Sequence, residues 1–312
     1  METVYFQTIP LTRLVLGTSV TRLCEDQKTA FSVLDMAYEA GFRTFDTAHI
    51  YGNAERNLGA WMKSRKVRDE ITVLTKGCNP GMGDKKDGMT RKILFSQVGQ
   101  SLKRLKTDHI ELYLLHRDDE SKPVGEIVEA LNELKAKGVV GAFGGSNWKL
   151  ERLVEANEYA REHNMEGFTV ASPCYSLALF ERDLWGGSVS VSGEENKAYR
   201  AYLASSRMPV FTYSSLARGY LSGRYRCSNL EERLSDLPVR EYDSARNRER
   251  LLRLETMARE KGVSMPSLAI AWLLRDEMNV FPILSPTRRE HLNDCVCALE
   301  LKLTEEERAY LG

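Results

Sequence analysis

The chain has 312 residues, of which 42% are hydrophobic and 28% are charged, so it can bury a large core and has the composition of a soluble globular protein. Its 44 lysines and arginines balance 44 acidic residues. This balance gives no electrostatic argument for nucleic acid or a membrane surface as the main partner. No run approaches the roughly 18 apolar residues of a membrane span, and the N-terminus lacks the pattern of a secretory signal.

Eight short β-branched runs are predicted strands, and most are nearly continuous in apolar residues, as expected of parallel strands buried on both faces. In chain order they are Leu14–Leu16, Thr44–Asp46, Ile71–Thr75, Ile110–Leu115, Val140–Gly144, Thr169–Ala171, Val210–Tyr213 and Val280–Leu284. An earlier segment, Glu2–Gln7, is either a strand of an N-terminal hairpin or an appended non-native segment.

Amphipathic helices are predicted between these strands, because apolar residues recur three and four positions apart. Their order and bounds are Lys28–Ala40, Asn53–Lys63, Thr90–Leu105, Pro123–Lys137, Trp148–His163, Asn247–Lys261, Met265–Arg275, Arg289–Leu299 and Leu303–Leu311. Three connections are longer than the alternation needs, and long loops on a rigid scaffold commonly carry function. They are Gly77–Met89, Leu177–Glu195 and Ala217–Ala245.

Regular alternation of strand and helix without a linker predicts a single α/β domain over residues 1–312, a (β/α)₈ TIM barrel with long βα loops and an N-terminal hairpin. An open doubly wound sheet is the alternative. It would usually show a G-x-G-x-x-G turn after the first strand, whereas that strand ends in Gly17-Thr18-Ser19.

Catalytic groups of such barrels lie at the C-terminal ends of the strands. Asp46, Lys76 and His116 stand at three of these ends, and Tyr51 follows on the next loop. A free tyrosine has a pKa of about 10, and a nearby ammonium group favours the phenolate, so Lys76 is expected to lower the pKa of Tyr51. Asp46 would orient the lysine. The set predicts proton transfer to a carbonyl oxygen, with the hydride supplied by a cofactor.

The segment Asp46–Gly59, DTAHIYGNAERNLG, resembles the D-T-A-x-x-Y-G-x-x-E-x-x-x-G signature of aldo-keto reductases. Four further segments resemble elements of the same family, and the matches extend from Gly17 to about Leu299. These segments are Thr75-Lys76-Gly77, Leu114-Leu115-His116, Gly144–Trp148 (GGSNW) and Tyr213–Leu221 (YSSLARGYL).

The resemblance implies a cytoplasmic oxidoreductase that passes a hydride from a nicotinamide cofactor to a small carbonyl compound. Tyr51 would be the general acid, and Asp46, Lys76 and His116 would complete a tetrad. The cofactor would be held through its carboxamide, its nicotinamide ring and its pyrophosphate. The residues implied for these contacts are Gly17, Thr18, Ser146, Asn147, Tyr213, Ser214, Leu216, Arg218 and Gly219.

Two places depart from the family pattern. Ser172 stands where a glutamine that holds the carboxamide is common, and a serine has a shorter reach. At the adenosine end, Ser285 and His291 stand where lysine and arginine are common. Arg288 or Arg289 would then bind a 2′-phosphate, with Asp294 also assigned to the cofactor site, or the two arginines are a solvated helix start. NADP(H) is therefore the preferred cofactor, and NAD(H) is possible.

Other classes of function remain open. A barrel of this family can also act as a cofactor-binding regulatory subunit with little turnover, and an aldolase using Lys76 as a Schiff base is a more distant alternative. The five histidines and six cysteines lack H-E-x-x-H and C-x-x-C spacing, so no metal site is expected and the cysteines are interpreted as reduced thiols. The short tail before Gly312 predicts an open pocket with broad specificity. The oligomeric state is not predicted.

Overall fold

The structure is a computed structural model that describes residues 1–80 and 89–312. An antiparallel hairpin opens the chain, with strands β1 (Thr3–Phe6) and β2 (Ile9–Thr12) paired so that Phe6 faces Ile9. The hairpin interpretation of Glu2–Gln7 is therefore confirmed. The later strands are β3 (Val15–Gly17), β4 (Thr44–Asp46), β5 (Thr72–Gly77), β6 (Ile110–Leu115), β7 (Val140–Ser146), β8 (Val170–Ser172), β9 (Pro209–Thr212) and β10 (Asn279–Leu284).

Within the described residues, these eight later strands form a closed barrel in the order β10-β3-β4-β5-β6-β7-β8-β9. The predicted TIM-barrel class is confirmed. Every predicted strand is present. Two have the predicted bounds, Thr44–Asp46 and Ile110–Leu115, and the other six differ by one or two residues at one or both ends. At β7 the ladder continues two residues beyond the predicted end, because Ser146 still pairs with Ser172 of β8.

Helices follow these strands along the chain, and several begin at side-chain caps. Thr90 accepts a hydrogen bond from the N–H of Ile93, and Thr304 forms a capping box with Glu307; such caps satisfy backbone groups that the first turn leaves unpaired. The helices are α1 (Thr21–Glu25), α2 (Gln27–Glu39), α3 (Ala54–Arg65), α4 (Arg91–Leu105), α5 (Val124–Ala136), α6 (Leu150–Glu162), α7 (Lys197–Ser206), α8 (Leu237–Tyr242), α9 (Ala245–Lys261), α10 (Met265–Leu274), α11 (Arg289–Cys297) and α12 (Glu305–Leu311).

Three of these helices, α1, α7 and α8, lie where no helix was predicted. Helix α7 buries only Tyr199 and Leu203, four residues apart, so its buried apolar stripe is too narrow to recognise from sequence. Helix α8 lies inside one predicted long loop. Most of the predicted loop Gly77–Met89 lies outside the described residues.

Contacts divide the chain into two compact units, Glu2–Ser172 and Pro173–Gly312, the second of which includes Met1. The first contains the hairpin and strands β3–β8, with Lys76 opposite Leu114 and Asp46 opposite Leu74. The second contains β9 and β10, with Phe211 opposite Phe281. The single-domain organisation stays a prediction. In the part of the chain that the structure describes, no helix has the length and apolarity needed to cross a membrane.

Candidate active site

A buried ion pair forms the centre of the first unit's polar cluster. Asp46 ends β4, Lys76 is the fifth residue of β5, and their side chains are in direct contact. The lysine also donates to the carbonyl of Thr47 at 3.1 Å. Both residues are at most 3% exposed. A buried ion pair contributes little net stability, because desolvation offsets the attraction, so this pair indicates a functional site.

Tyr51 and His116 lie beside this pair. The Nζ atom of Lys76 is 5.4 Å from the centre of the Tyr51 ring. The rings of Tyr51 and His116 meet edge to face, with centroids 5.6 Å apart. The structure therefore brings together all four residues of the predicted tetrad. Their grouping follows from the fold, since Asp46, Lys76 and His116 lie at or next to the C-terminal ends of neighbouring parallel strands.

Burial controls the protonation of this cluster. Loss of hydration raises the pKa of Tyr51 well above its ordinary value, and the negative charge of Asp46 acts in the same direction. The predicted lowering by Lys76 is therefore wrong in direction. Two physical causes explain the difference: dehydration of the hydroxyl dominates, and the nearby charge of Asp46 adds to it. Loss of hydration also raises the pKa of Asp46, with Lys76 opposing it.

His116 is neutral in this environment. Burial is the largest cause that lowers the pKa of His116 well below its ordinary value, and the charges of Lys76 and Arg117 act in the same direction. A neutral imidazole keeps one N–H donor and one acceptor nitrogen. Its Nδ1 atom is buried and has no hydrogen-bond partner among the described residues.

Two neighbours of Tyr51 were not predicted from the sequence. Arg117 lowers the pKa of Tyr51 and Cys24 raises it, so both lie within electrostatic range of its hydroxyl. Cys24 donates its thiol hydrogen to the carbonyl of Thr18 at 3.4 Å. The position of Arg117 directly after His116 was a signal that could have indicated it from sequence. Cys24 comes close to Tyr51 only through the tertiary fold.

The predicted carboxamide-binding residues form a second connected group in the same unit. Ser146 donates its hydroxyl to the carbonyl of Ser172 at 2.9 Å, and the amide of Asn147 donates to the carbonyl of His116 at 3.1 Å. Asn147 has a φ of 59°, a left-handed conformation that asparagine tolerates better than most residues. The group is thus joined to the tetrad through the backbone of His116.

Ser172 and Thr18 each present a buried hydroxyl. Ser172 is fully buried and Thr18 is 2% exposed, and neither Oγ atom has a hydrogen-bond partner within the described part of the chain. Thr18 follows Gly17, which lies opposite Asp46 in the β3–β4 ladder. Since buried hydroxyls are nearly always paired, these two atoms fit a polar ligand such as a carboxamide-bearing cofactor.

Gly144 of the GGSNW segment has a steric role. A Cβ at this position would lie 1.7 Å from the carbonyl oxygen of Val170. Only glycine allows β7 to approach β8 this closely, and the same ladder places Ser146 opposite Ser172.

In the second unit, the predicted cofactor residues after β9 form a tight turn. Tyr213 follows the strand directly, and a 3₁₀ turn covers Ala217–Gly219. Ser214, Ala217 and Arg218 have φ values of 53°, 49° and 54°. Three non-glycine residues in the left-handed region within five positions store strain, which is typical of ligand-binding loops. Leu216 and Gly219 belong to the same turn.

The Arg218 side chain is held on two sides. Its guanidinium donates to Glu241 at 3.1 Å and lies 3.8 Å from the centre of the Trp185 ring. Glu241 is 2% exposed, whereas Trp185 is 57% exposed. The turn that carries Trp185 is closed by Asp183, which accepts three backbone N–H groups. No sequence motif indicated Glu241 as a partner of Arg218.

The predicted adenosine-binding residues surround the start of α11. Ser285 follows β10, Arg288 is the residue before the first helical turn, and His291 and Asp294 lie within the helix. Arg288 and His291 are exposed. Across the described residues, no cluster of three or more histidine, cysteine or acidic side chains could hold a metal ion. None of the six cysteines, all within the described residues, forms a disulfide bond.

The barrel and its buried polar cluster define a class of α/β-barrel proteins with a site at the strand ends. Comparisons with known proteins identify the family within that class. A profile of the aldo/keto reductase family matches residues 13–311. The chain belongs to this family, as the resemblance of its motifs predicted, and is an oxidoreductase.

Three relatives illustrate the range of the family. Norsolorinic acid reductase B of Dothistroma septosporum is 31% identical over 294 residues, which cover 90% of this chain and 70% of that protein. The uncharacterized oxidoreductase YrpG of Bacillus subtilis is 32% identical over 311 residues, or 95% and 90% of the two chains. A probable voltage-gated potassium channel subunit beta of Oryza sativa is 30% identical over 276 residues, or 85% and 80%.

Proposed function

We propose that this protein reduces aldehydes or ketones to alcohols with NADPH, using Tyr51 as the general acid. The observation that carries the proposal is the buried Asp46–Lys76 pair beside Tyr51 and His116. We extend the proposal to a single catalytic domain over residues 1–312 that acts in the cytoplasm on small-molecule carbonyl compounds.

The protonation states suit the acid's role. A general acid must carry its proton before the reaction, and the raised pKa of Tyr51 keeps its hydroxyl protonated at neutral pH. In reduction, the Tyr51 proton moves to the carbonyl oxygen as that oxygen gains negative charge. The ammonium of Lys76 then stabilises the tyrosinate, and Asp46 keeps that ammonium in place. Neutral His116 is available to donate its ring N–H to the same oxygen.

The cofactor residues of the first unit fit a nicotinamide group. Ser146, Asn147 and Ser172 would hold its carboxamide. The hydroxyls of Ser172 and Thr18, which have no partner among the described residues, are the atoms that such a ligand would satisfy. When bound, the nicotinamide supplies the hydride that adds to the carbonyl carbon. The serine at position 172 shortens the reach of this contact but keeps its donor and acceptor.

In the second unit, we propose that Tyr213 contacts the nicotinamide ring and that the turn after it binds pyrophosphate. Ser214, Leu216, Arg218 and Gly219 supply this turn. The Arg218 guanidinium is already ordered by Glu241, so a phosphate would meet a positioned cation.

We propose that NADP(H) is preferred over NAD(H), because Arg288 would bind the 2′-phosphate. The other residues proposed for the adenosine end of the cofactor are Ser285, His291 and Asp294. An exposed arginine beside a helix N-terminus favours a 2′-phosphate. Calorimetric titration with NADPH and NADH tests this. Arg288→Ala should weaken NADPH binding and leave NADH binding unchanged. Equal effects on both cofactors would contradict the proposal.

A paired substitution tests the reaction itself. Tyr51→Phe removes the proposed acid, and we expect the rate of aldehyde reduction to fall by about 10²–10⁴-fold while NADPH still binds. Tyr113→Phe is the matched control, because it deletes a tyrosine hydroxyl that is buried on β6 and has no partner among the described residues. It should keep nearly full activity. Nitrobenzaldehyde reduction that survives Tyr51→Phe would exclude Tyr51 as the acid.

A cofactor-binding regulatory subunit is the second candidate, favoured by the similarity to the rice channel subunit beta. This candidate predicts tight NADPH binding with negligible turnover across a panel of aldehydes and ketones, together with a co-purifying partner protein. Single-turnover measurements separate the two candidates, because a regulatory subunit would show no oxidation of bound NADPH when aldehyde is added.

A further inference from the structure

Arg104 forms a fork between two parts of the segment that carries Tyr51. It lies in the last turn of α4, and its Nη1 atom donates to the carbonyl of His49 at 2.9 Å and to Oε2 of Glu55 at 3.2 Å. The Arg104 side chain is 19% exposed, and that of Glu55 is 1% exposed. The pair is therefore shielded from solvent, where charge-assisted hydrogen bonds are strongest.

The fork fixes a short piece of backbone. The N–H of His49 donates to the carbonyl of Lys76 at 2.8 Å, so His49 is bound at its N–H by β5 and at its carbonyl by α4. Its ring contacts Gln100 at 3.1 Å. Gln100 and Arg104 are four residues apart and so share one face of α4. Tyr51 is only two residues beyond His49.

The second branch of the fork reaches the lysine strand. Glu55 accepts a hydrogen bond from the hydroxyl of Thr75 at 2.8 Å, and Thr75 directly precedes Lys76. Glu55 lies in the first turn of α3. One guanidinium thus links the backbone before Tyr51, the helix after it and the strand of Lys76.

Close packing keeps this arrangement in register. At Gly59 of α3, an added Cβ would lie 2.4 Å from the carbonyl oxygen of Arg104. The two helices therefore touch backbone to backbone at the base of the Arg104 side chain, which fixes the position of the Arg104 backbone relative to α3.

We infer that Arg104 is a positioning residue for Tyr51, acting through the His49 carbonyl, and that Glu55 fixes Arg104 for this purpose. The inference rests on the proposed function, in which Tyr51 transfers a proton to substrate. A displacement of about 1 Å in a catalytic group can reduce a rate about 10²-fold. Loss of the fork should therefore lower the rate of the chemical step and leave NADPH binding nearly unchanged.

Arg104→Met tests the inference, with Arg68→Met as a matched control. Arg68 has an 18% exposed side chain and also donates to backbone carbonyls, those of Ile71 and His109, but these residues precede β5 and β6. We expect the single-turnover rate of NADPH oxidation to fall about 10–100-fold in Arg104→Met and to stay close to wild type in Arg68→Met. Arg104→Lys should recover part of the rate. NADPH affinity should change little in all three.

A double variant separates positioning from stability. Arg104→Met leaves the Glu55 carboxylate buried without its cation, which can impair folding. Arg104→Met/Glu55→Gln removes that charge, so it should recover the stability of the protein but not the rate. Recovery of the rate together with stability would overturn the inference, as would an equal loss of rate in Arg68→Met.

A crystal structure of the double variant gives a readout that does not depend on turnover. Displacement of the His49–Tyr51 backbone is the expected result, and an unchanged backbone would overturn the inference. Absence of carbonyl reduction by the wild-type protein would instead contradict the proposed function, and the structural readout would still decide the role of Arg104.

Discussion

Ser172→Ala should change protein stability and cofactor affinity in opposite senses. The Ser172 hydroxyl is fully buried and has no partner among the described residues. An unpaired buried polar group costs about 1–3 kcal/mol, so its removal should leave the cofactor-free protein at least as stable as wild type. The backbone carbonyl that accepts from Ser146 is retained.

The same change removes a proposed hydrogen bond to the carboxamide. A typical hydrogen bond contributes about 0.5–1.5 kcal/mol, which corresponds to an increase of about 2- to 10-fold in the Kd for NADPH. Thermal unfolding without cofactor and calorimetric titration with NADPH measure the two effects. We expect an unchanged or raised Tm and a weaker Kd in the same variant.

Ser101→Ala is the matched control. Ser101 lies on α4, is also fully buried, and its hydroxyl likewise has no partner in the described part of the chain. This variant should reproduce the effect on Tm without the effect on Kd. A clear loss of stability in Ser172→Ala would show that its hydroxyl has an internal structural role. An unchanged Kd would refute its assignment to the cofactor.

Two further predictions concern the scaffold and the pH dependence of stability. Gly59→Ala should destabilise the fold by about 1–3 kcal/mol, because its Cβ would meet the backbone of Arg104 at 2.4 Å. Gly99→Ala, on the same helix pair and with open space around it, should stabilise the fold by up to about 1 kcal/mol. Urea unfolding measures both changes, and equal effects of the two variants would contradict the packing argument. Folding lowers the pKa of His116. As pH drops through the ordinary histidine pKa of about 6.5, the unfolded chain therefore binds more protons than the folded protein does, and the free energy of unfolding should fall. His116→Gln should flatten this dependence between about pH 7.5 and 5.5, and identical slopes in the two proteins would show that His116 is not buried in its neutral form.

Local sequence patterns were sufficient for the barrel strands and for the four residues of the cluster. Asp46 and Lys76 stand at or near the ends of short apolar runs, and His116 directly follows such a run. Parallel strands bring those ends to one side of a sheet. The grouping of the cluster therefore followed from periodicity and topology.

Tertiary effects account for what the sequence could not provide. The direction of the Tyr51 pKa depends on how much water the fold removes from its hydroxyl, and no motif encodes that quantity. Glu241 reaches Arg218 from 23 residues away, and Arg104 reaches His49 from 55 residues away. Helix α7 has so narrow an apolar stripe that packing, rather than pattern, determines its structure.

The contact between Trp185 and Arg218 gives the protein an optical reporter of its own. Trp61, Trp148 and Trp272 are at most 7% exposed, whereas Trp185 is 57% exposed. Its fluorescence should therefore emit furthest to the red and should be the most sensitive to a water-borne quencher such as acrylamide. Any anion that draws the guanidinium of Arg218 away from the indole would alter this emission. Inorganic pyrophosphate, adenine nucleotides and whole cofactors could then be ranked by titration, without label or substrate.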